Sequence, residues 1–439
     1  FAMRLLQLTP GAGAMYCGNC LRDNALVAAW RKLGHDALMV PLYLPITLDE
    51  PDQSEGTPIF FGGISVYLRQ KSALFRNAPA WMHDLLASPR LLRWAGGRAA
   101  KTRPAELGEL TESMLRGEAG HQAADLEQLL GWLRSQPRPD VVCLSNALLV
   151  GLGRRLRSGL GAPVACMLQG EDWFLDALPE PYRQRCWRIV AERAAELDQL
   201  IAPSGYFATL MGRRRGLSEK AIAVVPNGIQ LEAYEAAPGP PPLPPVLGFF
   251  ARMCREKGLD RLVAAYIRIR RRGRFPTLRL RIGGSCGPAD EPVVAEVRGQ
   301  LAAEGLLESV EFHPNVNHAA KVAFLRSLSV FSVPAVYGEA FGLYVIEALA
   351  AGVPVVQPRC GAFPELVENT GGGLLCDPGD VDALADGIEQ VLGEADQGRG
   401  RGTAGRQAVF THFSAEAMAQ GMLQALTPGL SHTGPAPRG

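Results

Sequence analysis

The sequence has no apolar run long enough to cross a membrane, and no charged segment followed by an apolar core as in a secretory signal. It also has no excess of basic residues, since 45 Lys and Arg face 44 Asp and Glu, so it lacks the positive field that holds proteins on nucleic acid. Its nine cysteines are scattered, and only Cys17 and Cys20 lie close together. These absences predict a cytoplasmic protein with free thiols and no nucleic-acid partner.

The length of the chain, 439 residues, exceeds what one hydrophobic core usually supports and favours two domains. Its 47% hydrophobic and 20% charged residues are ordinary for a folded globular protein. Six prolines among the eight residues 238–245 cannot sustain a helix or an inner strand. We therefore expect the linker between the domains in this segment.

Short apolar runs alternate with helix-like segments on both sides of the linker. In the first half, the runs predicted to be strands are Met3–Leu8, Ala37–Val40, Val141–Leu144, Val164–Met167, Leu200–Ala202 and Ala223–Val225. In the second half, they are Val246–Phe250, Leu278–Ile282, Val310–Phe312, Val330–Val333 and Val353–Val356. This alternation predicts two doubly wound α/β domains with parallel sheets, whose ligands bind at the carboxyl ends of the strands.

Residues 72–103 combine Leu, Trp and Phe with six Arg and Lys residues. One interpretation is peripheral contact with the inner face of a membrane, or with the acceptor of a reaction. The alternative, favoured by the residues alone, is a set of helices that extend the first domain.

Residues 336–355 carry the densest set of candidate site residues. A loop with Glu339 and Gly342 leads into a predicted helix that contains Glu347 and ends at Gly352. Unpaired amides at the helix N-terminus can donate to sugar hydroxyls or phosphate oxygens, and the two carboxylates can accept from vicinal hydroxyls. The alternative is that Glu347 is a solvated helix residue and Glu339 a partner of the helix dipole.

A second set of candidates follows the predicted first strand of the second half. Arg252 and Lys257 would lie at its carboxyl end, where a guanidinium and an ammonium suit a diphosphate that gains negative charge as it leaves. The alternative is that Arg255 or Lys257 pairs with Glu256 or Asp260 on the surface.

These residues together resemble glycosyltransferase family 4, whose members have the GT-B fold. The matching segments are Gly34-His35, Val225-Pro226-Asn227-Gly228-Ile229, Arg252 with Lys257-Gly258, Gly338-Glu339-x-Phe341-Gly342, Glu347-Ala348 and Gly352-x-Pro354-Val355. They occur in the family's order along nearly the whole chain, and the Glu-x7-Glu pattern is specific.

The resemblance implies a retaining transferase that moves a sugar from a UDP- or GDP-sugar to a glycan, lipid or small-molecule acceptor, by a front-face mechanism without metal or cofactor. It implies two Rossmann-like domains that face each other across a cleft. The expected segments are an N-terminal acceptor-binding domain (1–237), the linker (238–245), a C-terminal donor-binding domain (246–410), a helix that packs back on the first domain (411–427) and a disordered tail (428–439).

The resemblance also implies roles for individual residues. Glu339, Arg252 and Lys257 would be catalytic, with Glu339 on the transferred sugar and the two cations on the diphosphate. The residues expected to bind the donor are Glu347, Phe341, Gly342, Leu343, Gly18, Gly284 and Asn227. Gln169 and Glu171 would contact a sugar or the acceptor.

Two positions depart from the family pattern. Gln169 stands where many members carry a His near the reacting sugar, and an amide can form hydrogen bonds but cannot titrate. Gln230 stands where an Asp is usual, a change of minor expected effect.

Other motifs fail on inspection. Gly13-x4-Gly18 is followed by Asn19 instead of the Lys of a phosphate-binding loop, and the pair Cys17 and Cys20 has no second pair to complete a zinc site. Gly283-Gly284-Ser285-Cys286-Gly287 resembles a nucleophile elbow, but Pro288 argues against the helix that an elbow feeds, and a glycine-rich donor loop fits better. Asp380-x-Asp382 is interpreted as a helix cap.

Other functional classes fit the same two-domain plan. A nucleotide-sugar epimerase would need an acid and a base across the cleft, for which Glu171 and Asp172 are the first-domain candidates. A phosphorylase would need a lysine-bound pyridoxal site, which the sequence does not indicate. A non-catalytic sugar-nucleotide sensor would use the cleft for binding alone.

Overall fold

The computed structural model describes residues 2–11, 18–45, 50–61, 104–214 and 222–430. The predicted membrane or acceptor contact at 72–103 lies outside these ranges, as do Gly13 and Cys17. The chain divides into two compact units, Phe1–Pro226 with Met418–Gly439, and Asn227–Ala417. Within the described ranges, no helix is both long and apolar enough to span a lipid bilayer.

The first unit contains a parallel sheet with the strand order β2-β1-β3-β4-β5-β6 among its described residues. Its strands are β1 (Arg4–Thr9), β2 (Asp36–Pro41), β3 (Val141–Leu144), β4 (Val164–Met167), β5 (Gln199–Ala202) and β6 (Ile222–Val224). Its helices up to β6 are α1 (Gly18–Lys32), α2 (Pro104–Leu115), α3 (Ala123–Ser135), α4 (Gly153–Leu160), α5 (Glu171–Asp176), α6 (Tyr182–Ala195) and α7 (Gly205–Gly212). The order reverses direction at β1, as in a doubly wound fold.

The second unit repeats this plan with the strand order β12-β11-β10-β7-β8-β9. Its strands are β7 (Val246–Phe250), β8 (Arg279–Gly284), β9 (Val310–Pro314), β10 (Val330–Phe331), β11 (Val355–Pro358) and β12 (Gly373–Cys376). Its helices are α8 (Leu259–Arg272), α9 (Glu291–Ala303), α10 (His318–Arg326), α11 (Leu343–Ala350), α12 (Phe363–Thr370), α13 (Val381–Gly393) and α14 (Ala395–His412). The predicted pair of doubly wound α/β folds is confirmed.

The central strands are buried along their whole length, which is why they read as short, continuous apolar runs. Every residue of β3, β4 and β7 is buried. Parallel sheets covered by helices on both faces require such strands, since neither face meets water. The core of the second unit accordingly centres on β7 and β10 and the helices that pack against them.

Two elements of the second unit were not predicted. Strand β12 lies at the sheet edge, and its Gly373 is preceded by two further glycines that favour a loop in the sequence. The glycine-rich segment 398–405 is helical within α14. A Cβ on Gly402 would come within 2.2 Å of the Gly352 carbonyl oxygen, and one on Gly405 within 2.6 Å of the Leu349 side chain. The glycines therefore permit close packing that outweighs their low helix propensity.

The boundary between the units lies before the proline-rich segment. Residues from Asn227 to the linker belong to the second unit because they pair with its last helices. The amide of Ile229 donates to the Phe413 carbonyl over 3.0 Å, and Arg406 donates to the Tyr234 carbonyl over 2.7 Å. The first unit thus ends at Pro226, earlier than the predicted limit of 237.

The last helix, α15 (Ala415–Leu430), contributes its residues from Met418 onward to the first unit. There the indole of Trp30 on α1 donates to the Ala419 carbonyl over 3.4 Å. The helix continues to Leu430, so residues 428–430 of the predicted disordered tail are helical. Its buried face, with Met422 and Leu426 at helical spacing, extends close to that end.

Candidate active site

Loops after adjacent strands of the second sheet carry the predicted catalytic residues. Lys257 lies between β7 and α8, and Glu339 between β10 and α11. Because β7 and β10 are parallel neighbours, both loops lie at the same edge of the sheet. The Lys257 ammonium contacts the Glu339 carboxylate directly, with side-chain exposures of 20% and 12%. The surface-pair alternative is therefore wrong for Lys257.

Two tyrosines complete the surroundings of this ion pair. The hydroxyls of Tyr337 and Tyr344 donate to Glu339 Oε1 over 2.9 and 3.0 Å, and Lys257 Nζ donates to the Tyr337 hydroxyl over 2.6 Å. Burial and the nearby Glu339 carboxylate raise the pKa of Tyr344 well above its ordinary value. Both effects disfavour a phenolate, so the Tyr344 hydroxyl remains a proton donor to the carboxylate.

Helix α11 begins directly after this cluster, at Gly342. This residue has φ of 100°, and a Cβ there would lie 2.9 Å from the Phe363 ring, so the turn requires glycine. Leu343 is the first helical residue, with its amide at the helix N-terminus. Phe341 is 2% exposed and its ring lies 6.0 Å from that of Phe413. Phe341 can therefore offer a ligand its backbone, while its ring belongs to the core.

Glu347 follows on α11 and forms a second, largely buried ion pair. Its Oε1 accepts from Nζ of Lys321 on α10 over 2.6 Å, and the two side chains are 14% and 4% exposed. The alternative of a solvated helix glutamate is wrong. A lysine so deeply buried needs its partner charge, so the pair fixes the position of the Glu347 carboxylate.

Arg252 is held by an aspartate that the sequence did not single out. Its Nε lies 2.9 and 3.1 Å from the two carboxylate oxygens of Asp290, which immediately precedes α9 and is itself buried. The Arg252 side chain is 57% exposed, so much of its guanidinium faces solvent at this edge of the sheet. Arg255, by contrast, pairs with Asp260 and Glu296, as the surface alternative holds.

Gly284 ends β8 beside the loop that carries Arg252. Its φ is 124°, and a Cβ there would lie 1.9 Å from the Ala251 carbonyl oxygen. The next residue, Ser285, accepts from the Met253 amide over 2.9 Å. Gly284 thus allows the two loops to pack together at the carboxyl ends of β7 and β8.

Two other predicted residues belong to other segments of the chain. Asn227 is buried at the start of the second unit, and Gly18 is the exposed first residue of α1 in the first unit. The predicted approach of Gly18 to the phosphates stays a prediction.

Gln169 and Glu171 lie beyond the carboxyl end of β4 in the first unit. The fully buried Arg22 donates from Nη1 to Gln169 Oε1 over 3.0 Å and from Nη2 to the Ser145 carbonyl over 2.8 Å. The adjacent Asp23 accepts from Arg22 Nη2 over 2.6 Å. Since a guanidinium only donates, it fixes the orientation of the Gln169 amide.

Glu171 is 3% exposed and opens α5. Its Oε2 accepts from the backbone N–H of Gln169 over 2.5 Å, and its Oε1 forms no hydrogen bond with the described residues. Burial raises the pKa of Glu171 to about 7. The carboxyl is therefore partly protonated near neutral pH.

The motifs rejected from the sequence have structural explanations. Asp380 caps α13, with its Oδ1 accepting from the amides of Asp382 and Ala383 over 2.8 and 3.0 Å, which confirms the predicted cap. The backbone of Cys286 is held in its loop by two hydrogen bonds with the side-chain amide of Asn315, and α9 begins later, at Glu291. In the described part of the chain, no three His, Cys, Asp or Glu side chains are grouped so as to hold a metal ion.

Four residues of the site were missed: Tyr337, Tyr344, Lys321 and Asp290. Tyr337 and Tyr344 lie two residues before and five after Glu339, so the sequence offered a local signal for them. Lys321 and Asp290 are 26 and 38 residues from their partners, and no spacing rule links them.

Two family models match adjoining parts of the chain. One, described as Glycosyltransferase Family 4, matches residues 25–233, and one described as Glycosyl transferases group 1 matches residues 232–408. A glycogen synthase of Mycobacterium tuberculosis is 31% identical over 295 residues, 65% of this chain and 68% of the relative. A D-inositol 3-phosphate glycosyltransferase of Segniliparus rotundus is 26% identical over 406 residues, 82% of this chain and 83% of the relative.

Solved structures resemble the chain over almost its whole length. Sucrose-phosphate synthase from Thermosynechococcus elongatus superposes with a TM-score of 0.69 at 18% identity, covering 98% of this chain and 100% of that one. The Anabaena protein HepE, in complex with UDP and glucose, superposes with a TM-score of 0.66 at 17% identity, covering 97% and 99%. At such identities the likeness concerns the fold, and the predicted GT-B class is confirmed.

Proposed function

The chain belongs to glycosyltransferase family 4, and we propose that it transfers a sugar from a UDP- or GDP-sugar to an acceptor hydroxyl with retention of anomeric configuration. The observation that carries this proposal is the contact between Lys257 and Glu339, with Glu347 held two helical turns further on. The acceptor is a glycan, a lipid or a small molecule.

The cations of the cluster suit the leaving diphosphate. An ammonium has three N–H groups, and Lys257 directs two of them to Tyr337 and Glu339, which leaves one for a phosphate oxygen. Arg252 adds a guanidinium whose Nε is tied to Asp290. Fixed positive charge near the departing oxygen lowers the barrier electrostatically, so the proposed reaction proceeds without a metal ion.

The carboxylates suit the polyhydroxylated parts of the donor. Glu339 would accept from hydroxyls of the transferred sugar, next to the amides of Phe341, Gly342 and Leu343 at the start of α11. Glu347 would accept from the ribose hydroxyls, and its pairing with Lys321 keeps it in one position.

The chemical step is a front-face substitution. The bond from the anomeric carbon to the diphosphate oxygen breaks as the acceptor oxygen bonds to the same face, and the acceptor proton passes to the departing diphosphate. Gln169 stands where many family members carry a His, and Arg22 holds its side-chain amide. Because an amide does not titrate, Gln169 would contact the sugar or the acceptor and take no part in proton transfer.

A solved structure of the same fold supports a sugar-nucleotide donor. The HepE structure contains UDP and glucose, and another structure of the same protein contains UDP-glucose.

The test is a panel of UDP- and GDP-sugars, with release of the nucleoside diphosphate followed with and without EDTA. At least one donor should be hydrolysed slowly without acceptor, at a rate that EDTA leaves unchanged, and the NMR coupling of the first-formed product should show the donor's anomeric configuration. Binding of nucleotide without turnover of any donor would instead favour a sensor, and an inverted product would contradict retention.

A further inference from the structure

The Glu339 carboxylate is held asymmetrically. Every hydrogen bond to its side chain from the described residues ends on Oε1, which accepts from Lys257, Tyr337 and Tyr344. Three donors on one oxygen fix the plane and direction of a carboxylate better than a single ion pair does. Oε2 is thereby the oxygen left to accept from a ligand.

Tyr344 is packed against aromatic residues of the core. It is the second residue of α11, and side chains there lean toward the helix N-terminus, back to the loop that contains Glu339. Its ring lies 6.3 Å from the Phe331 ring and 6.2 Å from the Phe363 ring, both of which are fully buried. The core of the unit therefore holds the Tyr344 hydroxyl in place.

Tyr344 also contacts the other member of the ion pair. Lys257 Nζ lies 5.4 Å from the centre of the Tyr344 ring, within the range of a cation–π interaction. One side chain thus attracts the ammonium through its ring and donates to the carboxylate through its hydroxyl.

We propose that Tyr344 is a positioning residue for glycosyl transfer, which holds Lys257 and Glu339 so that Glu339 Oε2 meets the hydroxyls of the transferred sugar. This inference rests on the proposed function, because it takes Glu339 as a sugar contact. Tyr344 should therefore influence how the sugar and the reacting bond are placed, and should not influence how tightly the nucleotide binds.

Tyr344→Phe removes the hydroxyl and keeps the ring. We expect kcat for donor hydrolysis or transfer to fall roughly tenfold, because a misplaced reacting group is costly for rate. Affinity for UDP or GDP alone, measured by isothermal titration, should change less than about twofold. A purely structural role would instead lower the unfolding temperature and weaken both quantities together.

A matched control is Tyr266→Phe. It removes another hydroxyl of the second unit, which donates to the Leu278 carbonyl over 3.0 Å, without contact with Glu339. Its kcat should stay normal at any temperature at which it is folded. If Tyr344→Phe does not fold, Tyr337→Phe removes a second donor to the same Oε1 and should lower kcat in the same way.

Combining Tyr344→Phe with Glu339→Gln tests whether Tyr344 acts through Glu339. In the Glu339→Gln background, the second substitution should change kcat less than about twofold, since its partner is already altered. Full multiplication of the two effects, or normal kcat in Tyr344→Phe while Glu339→Gln is impaired, would overturn the positioning role and leave the proposed function intact. Normal kcat in Glu339→Gln would remove Glu339 as a sugar contact and the positioning role with it, whereas only a wild type that turns over no donor would contradict the proposed function itself.

Discussion

Lys257 is the residue on which the proposed chemistry depends most. Its ammonium is half-buried between a carboxylate and two tyrosines, in surroundings where a charge is screened less than on the open surface. In the proposed reaction, it would meet the negative charge of the departing diphosphate with little reorganisation.

Replacing Lys257 with Ala should lower kcat at least tenfold, because the charge that stabilises the leaving group is lost. Arg255→Ala, a change of equal charge in the same loop, serves as the control, since Arg255 pairs with Asp260 and Glu296 on the surface. Steady-state release of nucleoside diphosphate measures both. Equal activity of the two variants would remove Lys257 from the mechanism.

The buried carboxyl of Glu171 should make the free energy of unfolding depend on pH. Burial raises the pKa of Glu171 to about 7, above the pKa of a glutamate in the unfolded chain. At a pH between these two pKa values, the folded protein holds a proton that the unfolded chain has lost. The free energy of unfolding should therefore be higher below pH 4.5 and fall as pH rises to 7, by on the order of 3 kcal/mol from this residue.

Denaturant titrations of the wild type and of Glu171→Gln between pH 5 and 8 measure this contribution. The amide keeps the shape and cannot ionise, so the variant should lose this part of the pH dependence and be the more stable protein at pH 8. Parallel pH curves for the two proteins would show that Glu171 titrates normally.

At the scale of elements, the site depends on strand ends that pack closely together. Gly284→Ala should lower the free energy of unfolding by at least about 2 kcal/mol, because the new methyl group would clash with the Ala251 carbonyl at a positive φ. Gly299→Ala is the control, since nothing lies within 4 Å of a Cβ at that position in α9. It should be neutral or stabilise by up to about 1 kcal/mol.

Thermal unfolding of both variants provides the comparison. An unaffected unfolding temperature in Gly284→Ala would mean that the loops after β7 and β8 have room for the added methyl group.

The helices and strands that could be predicted from the sequence are those that a local residue pattern defines. Strands such as β3, β4 and β7 are fully buried and flanked by turn signals, so a short apolar run defines them. Strand β12 and helix α14 depend on tertiary packing of glycine-rich segments, which local patterns interpret as loops. The same distinction applies to the site: Glu339, Glu347 and Lys257 lie in motifs of the sequence, whereas the partners Lys321 and Asp290 come from distant segments that no motif marks.

At the scale of the whole molecule, the chain combines two units with the same kind of parallel sheet. In the second unit, one sheet edge gathers two cations and two carboxylates from two loops and a helix, and each is held by a buried or half-buried partner. The first unit carries a separate buried polar cluster around Arg22 and Gln169. Under the proposed function, the donor would bind to the second unit and the acceptor to the first.

The central claim is that the carboxyl edge of the second sheet binds the sugar nucleotide. A crystal structure of the full chain soaked with UDP or GDP tests it most directly. The diphosphate should lie within hydrogen-bonding distance of Lys257 and Arg252, with the ribose hydroxyls at Glu347. Nucleotide density bound elsewhere, with all three side chains uncontacted, would contradict the account.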